Sequence, residues 1–365
     1  MDDAPKHSDF GFDYQYGLAA WVKNAQVAEG ARPRRGPMYP DNFYRDNELV
    51  GPTQKFSAEL VSDDALRWLA GEADGLDAQN ADDDQQGQPF FLLLTYSEVH
   101  TPIASPERHL KTYEEFLSNE ARDNPWLYYF DWRDRPWRGR GEYYANISFL
   151  DEQLGRVLDY LRADDQLDNT LVIFSSDNGP VTDAALTPWE LGMAGETGGL
   201  RGKKRFLFEG GLRVPGILRY PARVSSGQVI DTPVTALDVF PSLARLLEVP
   251  VSPDIPLDGQ SIWPLLDADS GAEGFVREAP LYWSIPTPDG MEFALRWNDW
   301  KLILDAEEKP IYLFDLAEDR YEVSNLLAER PDVTEQLMEM FLEKRAAIEA
   351  DPLAVSRDQN YQARP

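Results

Sequence analysis

Apolar residues recur at helical spacing between residues 143 and 161. Ile147, Leu150, Leu154, Val157, Leu158 and Leu161 share one face and predict an amphipathic helix there. A second helix is expected over residues 57–70. Residues 90–96 and 170–175 behave differently: their apolar side chains run without interruption, as in a strand buried on both faces. Residues 212–220 read as a further strand, interrupted by Pro215 and Gly216 and so short or near an edge. Helix followed by strand, twice over, predicts an α/β fold with a mostly parallel sheet flanked by helices. Residues 235–248 add a helix with Pro241 in or near its first turn.

Beyond residue 250 the texture changes. Pro-rich segments give way to four short strands at residues 281–285, 292–297, 300–304 and 311–316, with Asn298-Asp299 as a hairpin turn between the middle two. A helix over residues 333–350 closes this part. The expected domains are therefore an α/β domain over 1–250 and a small C-terminal antiparallel sheet plus helix over 251–365. Residues 1–56 show no sustained period and read as irregular, and the polar, acidic residues 71–88 read as a solvated loop.

A chain of 365 residues with 42% apolar content can bury a sizeable core. Its net charge of −29 argues against nucleic acid and against anionic membrane as partners. No run approaches the roughly 18 consecutive apolar residues of a membrane span. The charge also disfavours an anionic ligand unless local cations dominate its site. That raises the weight of Arg201, Lys203, Lys204 and Arg205, four cations within five positions on a glycine-punctuated loop. With no cysteine in the chain, disulfides, thiolate metal sites and a cysteine nucleophile are all excluded.

Candidate chemistry gathers at the end of the strand over 170–175. Asp177 and Asn178 offer oxygen ligands suited to Ca²⁺ or Mg²⁺, although Asp-Asn-Gly is also good turn chemistry. Lys204 offers a point charge for an anionic oxygen; a solvated basic loop is the alternative. His100, one of three histidines, follows the strand over 90–96 and precedes Thr101-Pro102. It suits hydrogen bonding to an anion or protonation of a leaving alkoxide, or a structural role. A hard-cation site beside an anion-binding lysine is what hydrolysis of a sulfate or phosphate ester requires.

The motifs, in order, resemble the sulfatase family of the alkaline phosphatase superfamily. The similar segments are Gly11 to Gly17, the His100-Thr-Pro102-Ile-Ala-Ser-Pro106 motif after its strand, Asp177-Asn178-Gly179, and Leu200-Arg-Gly-Lys-Lys204 with the run on to Pro215. Residues 233–247 and 311–327 complete the series. The resemblance implies an alkaline-phosphatase-like α/β fold and hydrolysis of sulfate esters of a carbohydrate or aryl alcohol. It implies Asp177 and Asn178 as calcium ligands, or ligands of Mg²⁺. It implies His100 and Lys204 as catalytic and sulfate-contacting residues, with His100 a candidate proton donor. A sulfated small molecule or glycan is the implied partner, and a periplasmic or secreted location is implied although residues 1–7 contain no signal-type apolar core.

The family also uses formylglycine, made from Cys or Ser in Cys/Ser-x-Pro-x-Arg. Ser105-Pro106-Glu-Arg108 has its proline one place too early. The family's Asp-Asp metal pair and Lys-x-His element have no match either: Asp2-Asp3 and Asp63-Asp64 follow no apolar strand. The expectation is a sulfatase-like chain lacking its N-terminal nucleophile region, completed by a separate or upstream N-terminal sulfatase fragment. The alternatives are a non-catalytic paralogue that binds sulfated glycans, or a phosphoester or phosphonate hydrolase of the same superfamily.

Overall fold

The computed structural model describes residues 14, 16–18, 40, 43–45, 48–50, 53–72, 89–100, 103–117, 140–181, 195–253, 255–266 and 275–351. It divides into two compact units: Met1–Leu167 with Val181–Gly195, and Asp168–Pro180 with Glu196–Pro365. Residues 168–180 and 196–250 thus group with residues 251–365.

In the first unit, three short antiparallel strands, β1 (Tyr16–Leu18), β2 (Phe43–Arg45) and β3 (Glu48–Leu49), occupy a stretch that the sequence suggested was irregular. Two- and three-residue strands are too short to show a period. The helix Ser57–Leu69 follows, and Glu59 accepts a hydrogen bond from the Phe56 amide at 2.9 Å, the glutamate half of a capping box. It packs on the helix Arg140–Ala163, which contains the predicted amphipathic segment. Phe56 and Phe149 meet edge to face with centroids 5.4 Å apart, among buried Ala58 and Ala104.

Residues 90–96 depart from expectation. From Phe91 to Ser97 they alternate exposed and half-buried positions, the period of a strand, but join no ladder among the described residues. Phe91 and Leu93 are 62% and 64% exposed, so the run is not buried on both faces. An unbroken apolar run does not by itself say how many neighbours it has.

The second unit opens with β4 (Val172–Ser175), which pairs antiparallel with β5 (Gly216–Arg219); Ser175 lies opposite Gly216. Every ladder among the described residues is antiparallel. The parallel pairs expected of the main sheet are absent from the described residues. The helix Val239–Leu246 carries Pro241 in its first turn, where a missing amide costs nothing.

The C-terminal sheet forms as predicted. β6 (Leu281–Ser284), β7 (Met291–Trp297), β8 (Trp300–Asp305) and β9 (Pro310–Asp315) lie in that order. Trp297 pairs with Trp300 across Asn298-Asp299, where Asn298 takes φ +54°, as a tight hairpin requires. One face of the sheet (Phe293, Leu295, Leu302, Leu304, Leu313) packs on Val333, Leu337 and Phe341 of the closing helix Pro331–Ala350. The other face (Met291, Ala294, Ile303, Phe314) packs on Leu207 and Phe208. Those two residues belong to the lysine-bearing loop, so the core positions a site.

Candidate functional site

The second unit brings Asp177, Asn178 and Lys204 onto one piece of stitched backbone. β4 ends at Ser175 and the chain turns through Asp177-Asn178-Gly179-Pro180. The Gly179 amide donates to the Gly211 carbonyl at 2.9 Å, and the Lys204 amide donates to the Pro180 carbonyl at 3.0 Å. Glycine is required at this crossing: a Cβ on Gly179 would lie 2.0 Å from the Gly210 carbonyl oxygen. Gly210 in turn donates to the Arg201 carbonyl at 2.7 Å. Asp177 is exposed, and Lys204 is half-buried.

The loop's four cations have different fates. Arg205 is exposed with φ +73°, and Lys203 is buried. Arg201 lies 3.9 Å above the Phe208 ring and 5.0 Å from that of Tyr312, and donates to the Glu322 carbonyl at 2.8 Å. Lys204 is thus the cation of this loop that joins the Asp177–Asn178 turn through the backbone.

Beneath the loop lies a buried charge cluster. Lys301 Nζ donates to Glu209 Oε1 at 2.9 Å and to Glu322 Oε1 at 2.8 Å, and Lys301 and Glu322 are both fully buried. Glu322 Oε2 accepts from the Glu209 amide at 2.7 Å, and Arg296 reaches Glu209 at 3.4 Å. Burial pushes the Glu209 carboxyl up, but Lys301 and Arg296 outweigh it and hold it below the usual glutamate range. Glu322 is pushed up by burial, which its share of Lys301 offsets only partly. Glu209 is thus taken up in this buried cluster. The roles of Lys301 and Glu322 were missed. The available signal was Lys301 itself, a lone cation amid the apolar residues of β8, which needs a counter-charge when buried.

His100 belongs to the first unit, and Asp177, Asn178 and Lys204 belong to the second. It is exposed, and its amide donates to the Ser97 carbonyl at 2.7 Å. Next to it, Glu98 accepts from Ser57 Oγ at 2.5 Å and from the Ala58 amide at 3.2 Å. This fastens the His100 turn to the positive end of the helix Ser57–Leu69. Burial raises the Glu98 carboxyl above its ordinary value. Thr101 and Pro102 lie outside the described residues, as do the aromatic stretch 126–137 and residues 182–194.

The serine of Ser105-Pro106 is fully buried, with its hydroxyl donating to the Glu142 carbonyl at 3.1 Å and its amide to Glu142 Oε1 at 2.8 Å. Asp63 and Asp64 lie in the helix and are taken up by ion pairs, Asp63 with Lys55 and Arg156, and Asp64 with Arg45. Neither pattern supplies a nucleophile or a metal pair.

The donors at Asp177 and Asn178 fit a hard divalent cation in kind. Asn178 Nδ2 donates to the Gly179 carbonyl at 2.9 Å, so that Oδ1 is the atom of this amide that could meet a cation. In number they fall short, because no group of three or more His, Asp or Glu able to hold an ion occurs among the described residues.

Comparison with known proteins bears on these residues. Residues 6–249 match the family model described as Sulfatase, and residues 195–347 match that of the N-sulphoglucosamine sulphohydrolase C-terminal region. The chain is 30% identical to the choline-sulfatase of Rhizobium meliloti over 332 residues, covering 82% of this chain and 59% of that protein. It is 31% identical to human (Homo sapiens) steryl-sulfatase over 182 residues, covering 50% of this chain and 27% of that one. It therefore spans less than two thirds of each of these two relatives. A structure solved in complex with its substrate, D-glucosamine-2-N,6-O-disulfate, superposes with a TM-score of 0.64 at 21% identity, covering 94% of this chain and 78% of the other. The fold is the alkaline-phosphatase-like α/β fold, and the chain belongs to the sulfatase family of that superfamily.

Proposed function

We propose that this chain carries the substrate-clamping and half-metal portion of a sulfuric ester hydrolase acting on a sulfated carbohydrate. In this reading Asp177 and Asn178 would hold a Ca²⁺, or a Mg²⁺, together with ligands from other polypeptide, and the chemistry such an ion would supply is Lewis-acid charge stabilisation. Lys204 pairs with a sulfate oxygen, and His100 hydrogen-bonds the ester group and returns a proton to the leaving alkoxide. The observation that carries the reading is the pair of backbone hydrogen bonds, Lys204 to Pro180 and Gly179 to Gly211, which hold the lysine against the Asp177–Asn178 turn. The sugar disulfate named for the structural relative supports the substrate class.

The 365 residues contain no Cys/Ser-x-Pro-x-Arg, so turnover needs a nucleophile from other polypeptide, either an upstream extension or a separate N-terminal sulfatase fragment. The test is hydrolysis of an aryl sulfate and of D-glucosamine-2-N,6-O-disulfate by the chain alone and by an upstream-extended polypeptide. Turnover is expected only from the latter. Calcium-dependent turnover by the chain alone would overturn the need for an outside nucleophile.

The missing nucleophile motif also favours a second reading, a non-catalytic protein that binds sulfated glycans through His100 and Lys204. It requires stoichiometric, Lys204-dependent binding together with inactivity of the extended polypeptide.

A further inference from the structure

The lysine loop does not hold its shape alone. Between Leu200 and Leu212 its own backbone bonds, such as Gly210 to Arg201 and Phe206 to Lys203, are joined by attachments to the C-terminal sheet and to Glu322 in the segment after β9. Leu207 and Phe208 pack on Ile303 and Phe314. Arg201, three residues before Lys204, is held between the Phe208 and Tyr312 rings and the Glu322 carbonyl. Glu209, five residues after Lys204, is tied at its carboxylate to Lys301 and at its amide to Glu322. Both ends of the segment that carries Lys204 therefore terminate on Glu322, and Lys301 bridges the Glu209 and Glu322 carboxylates, with Arg296 beside Glu209.

We infer that Arg201, Glu322 and Lys301 are positioning residues for Lys204: β8 and the Glu322 segment that follows the sheet clamp the loop on both sides of the lysine and set where its charge stands relative to the Asp177–Asn178 turn. The clamp suits this work because its groups are multidentate and dry. Glu322 uses its backbone carbonyl for Arg201, Oε2 for the Glu209 amide and Oε1 for Lys301, so moving the loop breaks several bonds at once. A hydrophobic contact alone would allow the loop to slide; directional bonds to a fully buried carboxylate do not. Arg201 also cannot be replaced by lysine without losing its fork and its stacking on Phe208.

The inference rests on Lys204 meeting the anion, so two measurements are paired. In a double-mutant cycle, binding of D-glucosamine-2-N,6-O-disulfate to the full chain is followed by calorimetry for Arg201→Lys, Lys204→Ala and both together. If Arg201 acts through Lys204, Arg201→Lys weakens binding about fivefold or more alone and has no further effect beside Lys204→Ala. A merely structural role predicts additive losses, which would overturn the inference. Amide hydrogen exchange is the second measurement and needs no ligand. In Arg201→Lys and in Glu322→Gln, chosen to preserve shape, protection is expected to fall at the Lys204 and Gly210 amides while β7 and β8 stay protected.

Unchanged exchange at Lys204 would overturn the clamp. If exchange rises but Lys204→Ala leaves binding unchanged, the clamp stands and the assignment of Lys204 to the anion falls. Lys301→Met serves as a further variant, with the same exchange pattern expected wherever it folds.

Discussion

A β-carbon on Gly179 would lie 2.0 Å from the carbonyl oxygen of Gly210, so the Asp177–Pro180 turn and the lysine loop meet backbone to backbone. Only that approach lets the Gly179 amide reach Gly211 at 2.9 Å and keeps Pro180 within reach of the Lys204 amide. The acidic turn and the cation are neighbours because no side chain stands between them.

Gly179→Ala is accordingly expected to destabilise the protein by about 1–3 kcal/mol, the range for forcing an extra methyl into packed structure. Denaturant unfolding measures this. A change within about 0.5 kcal/mol would mean that the crossing relaxes freely.

Lys204→Ala should lower affinity for D-glucosamine-2-N,6-O-disulfate by roughly tenfold or more, since a hydrogen bond to a charged group contributes about 1.5–3 kcal/mol. Lys204→Arg should retain part of the affinity. Calorimetry at two salt concentrations checks both, because loss of a charge contact also flattens the salt dependence. An unchanged affinity in Lys204→Ala would remove the lysine from the site.

Asp177→Asn removes the formal charge of the Asp177–Asn178 pair. The rise in melting temperature caused by CaCl₂ should shrink in this variant, as should the smaller rise caused by MgCl₂. With two of the six to eight oxygen ligands Ca²⁺ takes, the full chain by itself should bind the ion weakly. An identical calcium response in variant and parent would remove Asp177 from the ligand set.

Acid should weaken the first unit through Asp63. Burial pushes this carboxyl up, but hydrogen bonds and charge from Lys55 and Arg156 prevail and hold it below the usual aspartate value. A folded-state value below the unfolded one gives stability that is complete above the unfolded value of about 3.9. That stability is lost as pH falls through the folded value. Asp63→Asn should therefore lower stability at neutral pH and flatten its decline below about pH 4. Parallel stability–pH curves for parent and variant would exclude Asp63 as a contributor.

Phe341→Ala should cost about 3–5 kcal/mol, because the ring is fully buried and meets Phe293 at 5.4 Å. A loss below about 1 kcal/mol would mean that the closing helix is not anchored there.

Much of the fold was legible because local periodicity carried it. The helix around residues 143–161 and the four C-terminal strands follow from spacing alone, and Asn298-Asp299 named its own turn. Residues 90–96 were less legible: Phe91 and Leu93 look identical in sequence whether buried or exposed, since exposure depends on neighbours far along the chain. The antiparallel pairing of β4 with β5 was likewise invisible, because strand direction is set by the partner and not by the strand.

The sequence by itself determined the kinds of chemistry present: oxygen donors at Asp177 and Asn178, cations between Arg201 and Arg205, an imidazole at His100, and no thiol anywhere. It also determined the family, through motifs in order. The tertiary structure decided which cation joins the acidic turn, and why Arg201 does not. Arg201 turns to aromatic rings and the Glu322 carbonyl, whereas the Lys204 backbone is pinned to Pro180. The physical reason is that a buried charge must find its counter-charge. Lys301, Glu209 and Glu322 find one another only after the sheet and the loop have packed.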